Sequence, residues 1–89
     1  MAIWFAAVTD CFENGVEYSG QSVGNPINNF VGDASACQAK CASTNGCNFF
    51  VLRNNECGLK RYEGSKNSNP NAVSGPKECT WILIDYHQD

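Results

Sequence analysis

Apolar residues along the chain come in short runs broken by Gly, Asn and Ser, and only one stretch has helical character. From Ala34 to Thr44 the sequence is rich in Ala, with Asp33 in front as an acceptor for the first free amides and Asn45-Gly46 behind as a left-handed stop. This pattern predicts one helix, about Ala34-Thr44. So short a helix is marginal in water and must be held by tertiary attachment. Cys37 and Cys41, four residues apart, lie on one helical face, where each sulfur can reach a neighbouring element.

The rest reads as strand and turn. Asn48 to Arg53 favours β-structure and is apolar at consecutive positions, which predicts a strand covered on both faces. Asn54-Asn55 supplies a tight turn, and Glu56 to Tyr62 the return strand. With those two asparagines as the loop, Arg53 faces Glu56, Leu52 faces Cys57, Phe50 faces Leu59 and Phe49 faces Lys60. Phe50, Leu52, Cys57 and Leu59 then share an apolar face suited to a cysteine-bearing helix. Phe49, Val51, Gly58, Lys60 and Tyr62 form a mixed opposite face, partly covered and partly exposed. Thr9 to Tyr18, with Cys11, Phe12, Val16 and Tyr18 around Asn14-Gly15, predicts a strand or short hairpin. Glu63 to Gly75 has loop composition and is expected to be a mobile surface segment. Pro76 to Ile84 is expected to close the sheet, and no internal repeat is visible.

Size changes what this pattern can support. A chain of 89 residues makes one domain and buries only about 60 to 65% of its unfolded surface. Ordering its backbone costs on the order of 100 kcal/mol, so a small core needs reinforcement. Six cysteines, with no CxxC pair, read as a disulfide framework made in an oxidising compartment: Cys11, Cys37, Cys41, Cys47, Cys57 and Cys79. The count alone leaves fifteen pairings open. No segment is long and apolar enough to cross a membrane, and Ile3 to Val8 lacks the basic flank and length of an export signal. The chain therefore reads as a module cut from a longer secreted protein, with an export signal upstream.

The gaps between successive cysteines are 25, 3, 5, 9 and 21 residues. With Cys37-Gln38-Ala39-Lys40-Cys41 on the helix, Asn45-Gly46-Cys47-Asn48-Phe49-Phe50 entering a strand, Glu56-Cys57-Gly58-Leu59-Lys60 on the next and Gly75-Pro76-Lys77-Glu78-Cys79 at the end, the chain resembles the PAN/Apple module. The closing Gly-Pro-Lys-Glu-Cys and the Asn/Ser-rich stretch before it look most like the tandem Apple modules of microneme adhesins from coccidian parasites such as Eimeria and Toxoplasma. The resemblance implies an α+β fold, a small disulfide-rich module with antiparallel strands cradling one helix. It also implies the pairings Cys11-Cys79, Cys37-Cys57 and Cys41-Cys47, whose loop closures taken singly are worth about 4, 3 and 2 kcal/mol. The module itself spans 11-79, with 1-10 and 80-89 as flanks or linkers. Ile3-Trp4-Phe5 and Trp81-Ile82-Leu83-Ile84 extend beyond the outer cysteines, and they either pack on each other or on a neighbouring module, or are linker residues left by excision.

Net charge is −3, against nucleic acid as a partner, yet Arg53, Lys60, Arg61, Lys66 and Lys77 crowd between positions 53 and 77 with only Glu56 and Glu63 for company. Enzymatic chemistry finds no support: the single histidine, His87, sits near the C-terminus, no carboxylate pair stands out, and no phosphate loop is present. Spacings of 3, 5 and 9 do not give the two close cysteine pairs of structural zinc, so no metal or cofactor is expected. The resemblance implies instead a secreted, extracellular module that binds protein or carbohydrate on a host cell surface, or another secreted adhesin, beside neighbouring Apple modules and without membrane insertion. Phe49, Arg53, Lys60, Arg61 and Tyr62 are the candidate ligand-binding residues, because aromatic and Arg groups make good anchors. The competing reading leaves Phe49 and Tyr62 in the core or covered and the charges merely solvated. A sulfated glycosaminoglycan on the basic stretch 53-77 and a protease-inhibitor loop around Lys66 are the alternatives.

Overall fold

A computed structural model describes the backbone of residues 2–8, 11–79 and 81–87 and the side chains of 11–79. In chain order the elements are β1 (Ala2–Val8), β2 (Glu13–Tyr18), α1 (Ala34–Ala42), β3 (Phe49–Arg53), β4 (Glu56–Lys60), β5 (Lys66–Pro76) and β6 (Trp81–His87). Four strands form one antiparallel sheet in the order β2-β5-β3-β4, and β1 pairs with β6 in a separate two-stranded sheet.

The hairpin β3-β4 has the expected register, from Phe49↔Lys60 to Arg53↔Glu56, and Asn54 takes the left-handed conformation at its turn (φ 55°). Consecutive apolar residues on β3 are buried on opposite faces: Phe50 is 0% and Val51 4% exposed. Phe50, Cys57 and Leu59, with Leu52 beside them, meet Cys37, Cys41 and Cys47 in the main core. Val51 joins Tyr18 and Ala72 in a smaller cluster on the other face.

Asp33 caps α1 as read from the sequence, its Oδ1 accepting from Ala36 N at 3.0 Å. The helix stops at Ala42, one half-turn before the expected Thr44, because Ser43 and Thr44 turn their amides and hydroxyls back onto the last carbonyls. Gly46 still takes positive φ, in the turn that leads to Cys47.

Two expectations are overturned. The segment 63–75 is not a mobile loop, since Lys66–Pro76 is a strand lying between β2 and β3 at the centre of the sheet. Its small residues are what the position requires, because Ala72, Ser74 and Gly75 are buried between neighbouring strands. Ser74 Oγ donates to Val16 O at 2.6 Å, which satisfies the hydroxyl inside the sheet. Pro70 is accommodated where the β2 pairing jumps register, between Val16↔Ser68 and Asn14↔Val73, and Pro76 ends the strand. Of the two readings of Thr9 to Tyr18 the strand holds: Asn14-Gly15 lies within β2 at this jump, where Gly15 (φ 75°) alone stands opposite residues 69–72 of β5, and is not a hairpin turn.

The sheet does not extend directly through Pro76 to Ile84 either. Pairing with β3 stops at Pro76, and β6 begins at Trp81 against β1, with Trp4 opposite Asp85 and Phe5 opposite Ile84. The side chains of these flanks, His87 included, and all of Met1, Thr9, Asp10 and Thr80 lie outside the described residues. The exposed edge of β4 is covered by segment 21–30, through Val23 N→Leu59 O, Ile27 N→Cys57 O and Phe30 N→Asn55 O at 2.7 to 2.9 Å.

Three disulfides tie the layers together. Cys37–Cys57 fixes α1 to β4, Cys41–Cys47 closes the turn after the helix, and Cys11–Cys79 joins the residues just before β2 to those just after β5, with Cα atoms 5.5 Å apart.

Candidate functional site

The face of the sheet turned away from α1 is only partly filled. Pairing puts Val51, Gly58 and Ser74 in one row across it, and Arg53, Glu56 and Ala72 in the next. The Tyr18–Phe49 pair, edge to face with centroids 5.7 Å apart, covers one part. Next to it lies a trough of about 60 Å³ lined by Glu17, Pro26, Val51, Arg53, Glu56, Gly58 and Lys60. Gly58 lies in its floor: a Cβ there would stand in ordinary contact with Val51 O at 3.5 Å and clash with nothing.

The rim is charged and ordered. Arg53 forks between two carboxylates, Nη1 to Glu17 Oε2 at 2.7 Å and Nη2 to Glu56 Oε1 at 2.6 Å. The bond to Glu56, with help from Glu17, raises the Arg53 pKa and keeps the guanidinium charged. Glu17 Oε1 accepts from Asn69 on β5, and Lys60 Nζ donates to Ser22 Oγ at 3.0 Å. Formal charge around the trough sums to zero (Arg53 and Lys60 against Glu17 and Glu56), so its recognition chemistry is hydrogen bonding at fixed positions over an apolar floor.

The sequence candidates separate here. Arg53 and Lys60 line the trough together. Phe49 is half-buried against Tyr18 in the smaller cluster, Arg61 reaches towards Gly46 beyond the helix, and Tyr62, 56% exposed, stands past the end of β4. Glu17, Pro26 and Gly58 were not singled out from the sequence as site residues. Gly58, a glycine inside a strand, was the one local signal available; Glu17 arrives through long-range pairing.

The basic stretch is also divided. Arg53 is held by carboxylates, and Lys66 pairs with Glu13 at 2.9 Å and Glu63 at 3.7 Å. Lys60, Arg61 and Lys77 form no ion pair among the described residues. Lys66, at the first position of β5, is not displayed on a separate loop as an inhibitor would need. Beside it, Tyr18 hydroxyl donates to Glu13 Oε1. That bond, together with Lys66, lowers the Glu13 pKa, while burial and then the bond to Glu13 push Tyr18 up.

The fold is consistent with what family comparison finds, for the PAN domain model matches residues 11–84. The chain belongs to the PAN domain family. PAN domains are protein- or carbohydrate-binding modules of extracellular proteins and not enzymes. No curated protein is similar enough to this PAN domain to count as a relative. Among the described residues no group of His, Cys, Asp or Glu is placed to hold a metal ion, and no helix is long and apolar enough to cross a membrane.

Proposed function

We propose that this PAN domain is an extracellular adhesion module that takes a protruding polar group of a cell-surface protein or carbohydrate into the trough over Gly58. The observation that carries this reading is the convergence of Arg53 and Lys60 with Glu17 and Glu56 around an unfilled apolar floor. A volume of about 60 Å³ admits a side-chain end or a hydroxymethyl group and not a whole sugar ring, so the rest of the ligand lies across the rim. The likeness of the closing Gly75-Pro76-Lys77-Glu78-Cys79 to tandem microneme modules supports a place in a multi-module protein used in host-cell attachment and invasion.

Gly58→Val tests the reading, because a β-branched side chain suits the strand and its extra atoms fill the trough. Glycan arrays and binding to solubilised host-cell surface proteins, run with wild type, Gly58→Val and Lys60→Ala, should show loss in both variants with unchanged melting temperatures. Equal binding by all three would end the assignment to this face. The glycosaminoglycan reading is weaker, since Arg53 and Lys66 are already paired with carboxylates.

A further inference from the structure

The three disulfides sit in different surroundings. Cys37, Cys41 and Cys57 are fully buried and Cys47 nearly so, in the core under the helix. Cys11 and Cys79 are only partly buried. A thiolate can approach only the outer bridge without opening the core.

A side chain is also placed to assist its cleavage. Gln38, on the helix between Cys37 and Cys41, directs its amide over the Cys11–Cys79 bond. Its Nε2 donates to Pro76 O at 3.0 Å, which anchors the group, and lies 3.5 Å from Cys79 Sγ and 3.8 Å from Cys11 Sγ. An amide nitrogen has two hydrogens, so one remains for sulfur. A neutral disulfide sulfur is a weak acceptor, whereas a thiolate is a strong one. The interaction therefore strengthens as the bond breaks and favours departure of the nearer sulfur, Cys79.

We infer that Cys11–Cys79 is a thiol–disulfide exchange site that takes an external thiol, with Gln38 as the positioning residue that stabilises the departing Cys79 thiolate. The incoming thiolate attacks Cys11 Sγ along the bond axis. Its sulfur becomes half of a mixed disulfide with Cys11, the Cys11–Cys79 bond breaks, and the electron pair leaves on Cys79 Sγ, which is protonated from solvent. A second equivalent of thiol attacks the sulfur of the first, releases it as its own disulfide and leaves Cys11 reduced. The trough over Gly58 takes no part, so this site stands or falls independently of the binding face.

Reduced glutathione is the probe. The folded domain is exposed briefly, quenched with N-ethylmaleimide and mapped by mass spectrometry. The expected first product carries glutathione on Cys11 and maleimide on Cys79, with the other two bridges intact. Opening of Cys37–Cys57 or Cys41–Cys47 first, or glutathione spread equally between Cys11 and Cys79, overturns the inference. Gln38→Leu supplies a second test, because the two possible roles of Gln38 move the rate in opposite directions. Loss of thiolate stabilisation slows opening by about threefold to tenfold; a purely structural Gln38 would, on removal, loosen the domain and speed it. A rate that is unchanged or faster in Gln38→Leu removes Gln38 from the reaction.

Discussion

Gly75 lies directly against the ring of Phe50: a Cβ built on it would stand 3.0 Å from Phe50 Cε1 and 3.2 Å from Phe12 Cδ1. Phe12 and Phe50 themselves meet edge to face with centroids 5.4 Å apart. Phe50 is the largest fully buried side chain among the described residues, so it has no room to retreat. Gly75→Ala should therefore overpack the core and cost about 1 to 3 kcal/mol, read as a lower denaturation midpoint. Gly58→Ala, where the nearest atom is 3.5 Å away, should be close to neutral and serves as the control.

The outer disulfide closes the longest loop, with a sequence separation of 68 against 20 and 6 for the others. Chain entropy then ranks the stabilisation as about 4, 3 and 2 kcal/mol. Paired Cys→Ala variants avoid burying new hydroxyls in the core, and the largest fall in thermal midpoint should come from Cys11→Ala/Cys79→Ala. An unchanged midpoint for that variant would contradict the ranking.

Stability should fall on both sides of neutrality through one cluster. Glu13 has a lowered pKa in the fold, held down first by Tyr18 and then by Lys66. Its contribution is complete above the ordinary value of 4.5 and is lost as pH falls through the folded value. Tyr18 has a raised pKa, so its contribution is complete below the ordinary 10.0 and is lost as pH rises towards the folded value. Melting curves across pH should show Glu13→Gln flattening the acid limb and Tyr18→Phe flattening the alkaline one.

The cap of the helix is a smaller and separable term. Asp33 satisfies one amide of the first turn, and Asp33→Ala should cost about 1 kcal/mol without altering the sheet, measured by urea denaturation with an unchanged slope.

What was legible in the sequence was local. Asp33 and the Ala-rich run locate the helix, and Asn54-Asn55 between two apolar runs fixes the β3-β4 register residue by residue. What was not legible depended on partners distant in sequence. Lys66–Pro76 has the composition of a loop, and becomes a central strand because Phe50 needs Gly75 beside it and Val16 needs the Ser74 hydroxyl. β-Propensity describes the packing of a side chain on neighbours, and here the neighbours call for small residues. The site shows the same division. Arg53 and Lys60, two residues of one hairpin, fall together in the trough, whereas Glu17 and Pro26 come to it from the far side of the fold and gave no sign in the sequence.

The join between Cys11 and Cys79 also determines what the domain does under tension. Force applied on the two flanks is carried by a covalent link whose Cα atoms are 5.5 Å apart, and the helix, sheet and trough are left unloaded. A binding module so wired keeps its fold while its two flanks are pulled apart. Once that link is cut while Cys37–Cys57 holds, the span free to extend falls from 68 to about 48 residues, or about 170 Å, and the same pull would draw out the sheet.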